Sequence, residues 1–415
     1  MEVLQEAGKI LVLNAGSSSL KFKLFSLAPA LVAGVGGVID RIGDTINSNL
    51  VAKGDGQKWT NKVPIKDHVS AMECIMAFLS DKESKSIHNE VQAVGHRIVH
   101  GLDIHQAALL DAAAISKLQQ AATLAPLHNP PGLQGLSAAM KVFKGVPQVG
   151  VFDTAFHQTM PAKAYMYGIP YDYFTQHKIR RYGFHGTSHK YLAETAASML
   201  GKSPQQINAI TCHLGNGSSI AAVKNGVSVD TSMGLTPLEG LVMGTRSGDM
   251  DPAVPLHLMS TLGLSAKEMD AILNKKSGLL GVCGHSDLRA VLESKAAGDE
   301  RAALALDMFV YRVRKYIGAY SAALSGRVDS LVFSAGIGEN SSVARALICE
   351  DMQAMGIAID DGKNKAAVGG VQADISAPDS RMRVLVVPTD EELSIAQQTL
   401  DLVSKIKQQK VAVAA

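Results

Sequence analysis

Residues 10–25, ILVLNAGSSSLKFKLF, and residues 209–223, AITCHLGNGSSIAAV, follow one plan. An apolar strand runs into a turn of Gly, Ser and Asn, and a second strand returns, which is the pattern of a β-hairpin. Asn14 and Asn216 lie 202 positions apart, close to half of the 415 residues. The pair of hairpins admits two readings: an internal duplication in which each half opens on the same element, or coincidence. Between and after them, short β-branched runs alternate with helical patterns, so the expected class is a mixed α/β protein with layered sheets.

Three helices are marked by spacing. Over Asp67–Ser80, Val69, Met72, Ile75, Met76 and Leu79 recur at three and four residues, the period of one helix face. From Glu300 to Leu324 a stripe of Leu304, Met308, Val313, Ile317 and Leu324 predicts a long helix stopped by Gly326. Thr389 with Glu392 reads as a capping box opening a last helix, with Leu393, Ala396, Leu400, Val403 and Ile406 on one face and a frayed tail after Lys410.

Composition narrows the function classes. The length allows two or three domains of about 150 residues. Apolar runs such as Ile10–Leu13 and Val384–Val387 have four residues, far below the roughly 18 of a membrane span. Forty Lys and Arg against 38 Asp and Glu leave a net charge of +2, too little field to hold nucleic acid or an anionic membrane surface. Glu2 and Glu6 oppose a secretory signal. Cys74, Cys212, Cys283 and Cys349 form no C-x-x-C pair, so a reducing, cytoplasmic setting is expected. Any anion this chain binds is held by a few local groups.

Glycine lets backbone approach a phosphate, and successive N–H groups in a tight turn form an anion site. Three segments fit: residues 14–19 with Lys21, residues 213–219, and residues 334–340 after the strand Ser330–Phe333. None is a P-loop and none completes G-x-G-x-x-G. Arg97, between His96 and His100, and Arg246, in a Gly-bounded loop, suit a planar clamp on phosphate or carboxylate. Pairing of Arg246 with Asp249 or Asp251 is the competing reading. His185 and His189 have the i, i+4 spacing of zinc ligands, but H-G-T-S-H lacks the glutamate of H-E-x-x-H. His185 is expected in the turn before a helix capped by Thr187 or Ser188. His128 stands in the proline-bounded turn APLHNPPG. Asp153 ends the strand Gln148–Phe152, a position that faces the cleft in many α/β folds or caps a helix.

Together these stretches resemble the acetate and propionate kinases. LNAGSSSLKFKLF, VGHRIVHG, APLHNPPGL, VFDTAFHQTMP, YGFHGTSHKY, HLGNGSS, DTSMGLTPLEGLVMGTRSGDMDP, FSAGIGENS and PTDEELSIA carry the resemblance from residue 10 to about residue 397. It implies two ribonuclease-H-like domains of the actin, hexokinase and chaperone-ATPase superfamily facing across an active-site cleft. Residues 1–157 plus 391–415 would form one domain, 158–390 the nucleotide-binding other. It implies a homodimer that phosphorylates acetate, or propionate in the alternative, with ATP and releases the acyl phosphate and ADP.

On that resemblance Asn14 and Glu391 would hold Mg²⁺, or Mn²⁺ in its place, while Ser17, Ser19 and Lys21 approach the phosphates. Arg97 would bind the carboxylate, and His185 and Arg246, with His128 nearby, would stabilise the moving phosphoryl group. Asp153 carries an acid or base role in the family. His213, Leu214, Gly215, Asn216 and Gly217 would cradle ATP together with Asp287, Leu288 and Arg289, and with Gly336, Ile337, Gly338, Glu339 and Asn340. Val99, Leu127, Phe184 and Pro237 would line the pocket for the acyl methyl group. A carboxylate nucleophile is already ionised at pH 7, so orienting Arg97 or a metal-bound water suits Asp153 better than removing a proton. The chain departs from the family pattern at Leu102, where VHGG is usual, and at Leu288, where an aromatic is frequent.

Overall fold

The structure, a computed structural model, describes residues 8–28, 30–122, 125 and 129–414. Leu127, His128 and the first seven residues lie outside the described residues. The chain divides into two compact units, Met1–Phe156 with Asp390–Ala415, and His157–Thr389. No helix among the described residues is long and apolar enough to cross a membrane.

The first unit is built on an eight-stranded sheet. Its strands are β1 (Lys9–Ala15), β2 (Ser19–Ser26), β3 (Val32–Asp40), β4 (Asn49–Gly54), β5 (Gln57–Lys62), β6 (Val91–Ile98), β7 (Ala108–Leu109) and β8 (Gln148–Phe152), in the order β5-β4-β3-β2-β1-β6-β8-β7. The second unit has six: β9 (Ala209–Leu214), β10 (Ser218–Lys224), β11 (Val227–Thr231), β12 (Ser330–Ser334), β13 (Ala373–Asp374) and β14 (Arg383–Val386), in the order β11-β10-β9-β12-β14-β13. The core of each sheet is the same: an antiparallel meander, β3-β2-β1 or β11-β10-β9, continued by two parallel strands, β6-β8 or β12-β14. This is the ribonuclease-H-like order, present twice. Register also refines the duplication. Ala15 faces Leu20 at the mouth of the first hairpin and Leu214 faces Ser218 at the second, so the counterpart of Asn14 is His213 rather than Asn216.

Alternation decides what each strand buries. Leu11, Leu13, Leu20, Phe22 and Leu24 point to the helices His68–Lys82 and Asn129–Val142. Ile10, Val12, Ala93, Val149 and Val151 point to the other face, against Ile395, Ala396 and Val403 of the C-terminal helix Glu391–Ala414. That helix crosses β6 closely: a Cβ on Gly95 would stand 2.5 Å from Thr399 Oγ1 and 2.9 Å from Ile395 Cγ2. In the second unit, helix Glu300–Ala323 covers one face of β9, β10 and β12, and helix Gly186–Met199 packs on β9 and β12 at the other.

Three expectations need correction. The long helix buries Ala302, Ala305, Leu306, Phe309, Val310, Val313 and Ile317, whereas Leu304 and Met308 are 53% and 39% exposed. Small alanines mark its true inner face, and a stripe drawn through large residues alone ran onto the outer one. The last helix is capped one residue later than expected: the Asp390 carboxylate accepts from Leu393 N at 2.9 Å, which frees the Thr389 hydroxyl for Ser188. It also continues through Ala414.

Gly95→Ala should therefore destabilise the protein by about 1–3 kcal/mol through overpacking against the C-terminal helix. Chemical denaturation measures it, and Thr399→Ala in the same background should recover part of the loss.

Candidate functional site

In the first unit the stripe that faces the C-terminal helix turns polar at the strand ends. Asn14 follows Val12 on β1, Arg97 follows Gly95 on β6, and Asp153 follows Val151 just past β8. Lys21 lies directly opposite Asn14 on β2, so Lys21, Asn14, Arg97 and Asp153 form one row across four strands. Glu391, in the first turn of the covering helix, meets that row with Oε2 3.6 Å from Arg97 Nε. Asp153 is held in place by its own N–H, which donates to Ile98 O at 2.9 Å and extends the parallel ladder. Its carboxylate, 2% exposed, accepts from Arg97 Nε at 3.1 Å and Nη2 at 2.8 Å. Both oxygens are engaged by the guanidinium, and Asp153 caps no helix among the described residues.

Charge is locked into this pair. Burial alone would lower the Arg97 pKa, but Asp153 and then Glu391 outweigh it and hold the guanidinium above its ordinary value. Burial pushes the Asp153 carboxyl up while Arg97 pulls it down, and with two charge-assisted bonds the pair is ionised near neutral pH. Beside the row, the turn at residues 16–19 is closed by Gly16 N–H donating to Ser19 O at 2.8 Å, and His68 Nε2 donates to Gly16 O at 2.8 Å. Ser17 and Lys21 are exposed there and Ser19 is half-buried. Val99 is half-buried at the end of β6. Leu102 adopts φ 54°, so a leucine occupies the left-handed conformation that glycine takes without strain.

The second unit presents histidines and an arginine around the β9–β10 turn. His185 is not in a turn ahead of a side-chain cap as expected. It is itself the residue before helix Gly186–Met199, at φ 56°, and Thr187 and Ser188 lie in the first turn. Its Nδ1 is 2.9 Å from Ser219 Oγ, and its ring stacks on His213 at 4.2 Å between centroids. Ser188 Oγ bonds His213 Nδ1 at 2.8 Å and Thr389 Oγ1 at 3.1 Å. His189 is fully buried with Nδ1 on Thr211 and Nε2 on Ser219, which removes it as a metal ligand. Arg246 closes the group: a Cβ on Gly217 would lie 3.5 Å from Arg246 Nη1 and 3.7 Å from His185 Cε1.

Arg246 has no acidic partner among the described residues; its Nη1 donates to Pro237 O at 3.1 Å and approaches Met243 Sδ at 3.8 Å. Burial accordingly lowers its pKa. The two candidate counter-ions are engaged elsewhere. Asp249 accepts from Tyr316 and Gly240 N and lies 3.5 Å from Arg312, and Asp251 accepts from Ala253 N. Pro237 is half-buried and Phe184 is 2% exposed, its carbonyl accepting from His157 Nε2.

A cavity of about 700 Å³ opens beside the same turn, a size suited to a nucleotide-scale ligand. Gly215, Asn216, Asp287, Leu288, Arg289, Gly336, Ile337 and Asn340 line it as expected from sequence. His213, Leu214, Gly217, Gly338 and Glu339 are not part of its wall. Two expected loops are helical: Asp287 caps helix Leu288–Ala296, and Ala335–Asn340 forms a short helix after β12. Leu288 is 4% exposed and belongs to the core, so its side chain anchors the wall from behind. Glu339 turns inward, where Oε1 accepts from Ala335 N at 2.8 Å and Thr389 N at 3.0 Å. Ser286, Leu292, Ser341, Ser342 and Val343 complete the lining without a motif that singles them out. Ser219 could have been found: two-residue alternation puts it opposite His213 in the quoted hairpin.

Among the described residues no three His, Cys, Asp or Glu side chains converge as a metal cage. Asn14 and Glu391, both at the Arg97 row, carry an amide and a carboxylate oxygen, the donor type of a hard divalent cation.

An anion-ready arginine, paired imidazoles and a nucleotide-sized cavity on a duplicated ribonuclease-H-like fold define a phosphotransferase with a carboxyl group as acceptor once the chain is set beside known proteins. The family model of the acetokinase family matches residues 9–397, and this chain belongs to that family. It is 50% identical over 401 residues to the acetate kinase of Methanosarcina thermophila, covering 95% of this chain and 97% of that one. The acetate kinase of Carboxydothermus hydrogenoformans is 49% identical over 398 residues, 95% and 99% of the two chains. In structure it matches Porphyromonas gingivalis acetate kinase with TM-score 0.90 at 45% identity, over 95% of this chain and 100% of that one. A propionate kinase from Francisella tularensis matches with TM-score 0.89 at 42% identity, over 95% and 99%.

Asp153→Asn keeps shape but removes the charge that orients Arg97. It should lower kcat by about a hundredfold, the scale of a misplaced reacting group. Since a carboxylate nucleophile needs no proton removed, activity should not return at high pH; recovery above pH 8 in a pH–rate profile would instead make Asp153 a base.

Proposed function

We propose that this chain reversibly transfers the γ-phosphoryl group of ATP to acetate, giving acetyl phosphate and ADP. The observation that carries the reading is Arg246, a half-buried guanidinium beside His185 with no carboxylate partner among the described residues. Such a group is stabilised when a phosphoryl oxygen arrives.

A carboxylate oxygen attacks the γ-phosphorus, the new O–P bond forms as the bond to the β-phosphate oxygen breaks, and the electron pair leaves on ADP. The transfer needs in-line positioning and neutralisation of charge on the equatorial oxygens rather than proton removal. Arg246 and His185 provide donors for those oxygens. Arg97, aimed by Asp153, holds the acetate carboxylate. Val99, Phe184 and Pro237 contribute apolar surface for its methyl group. The cavity of Gly215, Asn216 and Gly336 takes the nucleotide, and Lys21, Ser17 and Ser19 serve its phosphates. Asn14 and Glu391 would hold Mg²⁺, or Mn²⁺, which would supply further neutralisation of phosphate charge.

Propionate is the second reading, favoured by the nearly equal structural match to a propionate kinase. One methylene in an apolar pocket is worth about 1–3 kcal/mol, so the choice is quantitative. Trapping the acyl phosphate with hydroxylamine should give product with acetate and a several-fold lower kcat/KM with propionate and butyrate. No hydroxamate from any of the three acids ends the kinase reading, and a higher value for propionate reverses the substrate.

The protein works as a homodimer in the cytoplasm on this reading. Four free cysteines, three of them buried, suit a reducing compartment. Helix Ala253–Leu262 has no buried residue, and Leu256 and Leu262 are 66% and 64% exposed, an apolar face suited to a second copy. Light scattering should give twice the mass of one chain, and Leu256→Glu with Leu262→Glu should give monomers; an unchanged dimer places the interface elsewhere.

A further inference from the structure

We propose that the buried series Thr211, His189 and Ser219 is a positioning device that holds His185 as the neutral imidazole protonated on Nε2. Three contacts link the series: Thr211 Oγ1 to His189 Nδ1 at 2.7 Å, His189 Nε2 to Ser219 Oγ at 2.7 Å, and Ser219 Oγ to His185 Nδ1 at 2.9 Å. Thr211, His189 and Ser219 are each 0% exposed. Burial, then His157 and His213, push the His189 pKa well below its ordinary value, so that ring carries one proton.

Proton counting fixes the direction. In one sense Thr211 O–H donates to His189 Nδ1, His189 Nε2–H donates to Ser219 Oγ, and Ser219 O–H donates to His185 Nδ1. Every proton is used and His185 must carry its own on Nε2. In the opposite sense His185 Nδ1–H donates to Ser219, Ser219 O–H to His189 Nε2, and His189 Nδ1–H to Thr211 Oγ1. The Thr211 hydroxyl proton is then left without an acceptor among the described residues, because its one side-chain contact is His189. A buried donor without a partner bears its full desolvation cost. The first direction therefore holds.

An imidazolium at His185 needs a proton on Nδ1, which either forces the unfavourable direction or has Ser219 Oγ accept from both rings and leaves the Ser219 hydroxyl proton unpaired; either way one buried donor is orphaned. The surrounding charged and titratable groups act in the same sense. His213 stacks on His185, Arg246 lies with it beside Gly217, and His157 stands 5.6 Å from His189 with Arg181 beyond it. His157 stays neutral, its Nε2–H donating to Phe184 O and its Nδ1 accepting from Ser228, with burial pushing its pKa down to about 4. Among the described residues no carboxylate is in hydrogen-bond contact with Thr211, His189 or Ser219. His185 is thereby an uncharged Nε2–H donor across the physiological range: it can stabilise charge developing on a phosphoryl oxygen without titrating away or giving up its proton. This functional half rests on the phosphotransfer reading; the tautomer does not.

The test is a two-bond ¹H–¹⁵N correlation spectrum of the imidazoles in the full-length labelled protein, with His185→Asn used for assignment. His185 and His189 should both show Nε2–H and bare Nδ1 from about pH 6 to 8, the range in which an ordinary histidine titrates. Ser219→Ala should mix the His185 tautomers, move the acid limb of kcat/KM to higher pH, and lower kcat by about tenfold or more, as expected for a misassigned tautomer. His189→Gln, whose amide N–H can replace Nε2–H toward Ser219, should keep the His185 pattern. An Nδ1–H or imidazolium His185 at pH 7 in the unmodified protein overturns the proposal, as does a Ser219→Ala protein with unchanged spectrum and acid limb. Because the spectra need no turnover, the right tautomer in a protein that makes no acyl phosphate supports the relay and counts only against the kinase reading.

Discussion

A strand covered by helices on both faces has no room for an unpaired polar side chain along its length, so polarity is pushed to its ends. β8 and β9 are buried at every residue. Asp153 follows the first directly, and His213 is the second-last residue of the other. Asn14, Lys21, Arg97, Asp153 and His213 all depend on this constraint. The row of Lys21, Asn14, Arg97 and Asp153 exists because four neighbouring strands end together, with period-two alternation carrying all four side chains to the face closed by the C-terminal helix. The histidine cluster repeats the arrangement on the duplicated sheet, with helix Gly186–Met199 as the cover.

The two clusters treat charge in opposite ways. Arg97 is neutralised in advance by Asp153 and Glu391, which fixes its orientation but leaves little unsatisfied charge. Arg246 is fixed by a carbonyl and a thioether and keeps its charge for a ligand. A preset arginine suits a substrate that must be aimed, and an uncompensated one suits charge that develops during reaction.

Much of this was legible in the chain because it rests on local rules. Hairpin turns of Gly, Ser and Asn, and the alternation behind Val12–Asn14 and Val151–Asp153, are properties of a few adjacent residues. What failed depended on partners distant in sequence. Thr389 looked like the cap of the last helix, but Asp390 next to it caps, and Thr389 is drawn to Ser188, 201 residues away. Glu339 sat in an expected phosphate loop, yet its carboxylate serves the Thr389 amide. Leu304 and Met308 were drawn onto the inner stripe by size, where Ala302 and Ala305 allow closer packing. Ser219 attracts no notice as one serine of two, and acquires meaning only between His185 and His189.

The first unit's sheet is finished by the last helix of the chain. Ile10, Val12, Val149 and Val151 are synthesised early, but Ile395, Ala396 and Val403 leave the ribosome only after all of His157–Thr389 has been made. At about 5–20 residues per second, that interval is on the order of ten seconds or more. Through it an apolar sheet face stays uncovered on the nascent chain, and the Arg97 row lacks Glu391. The Arg97 row cannot gain Glu391 until the whole of the second unit has been translated, and during that interval the growing chain exposes apolar strand surface of the kind that is prone to aggregate.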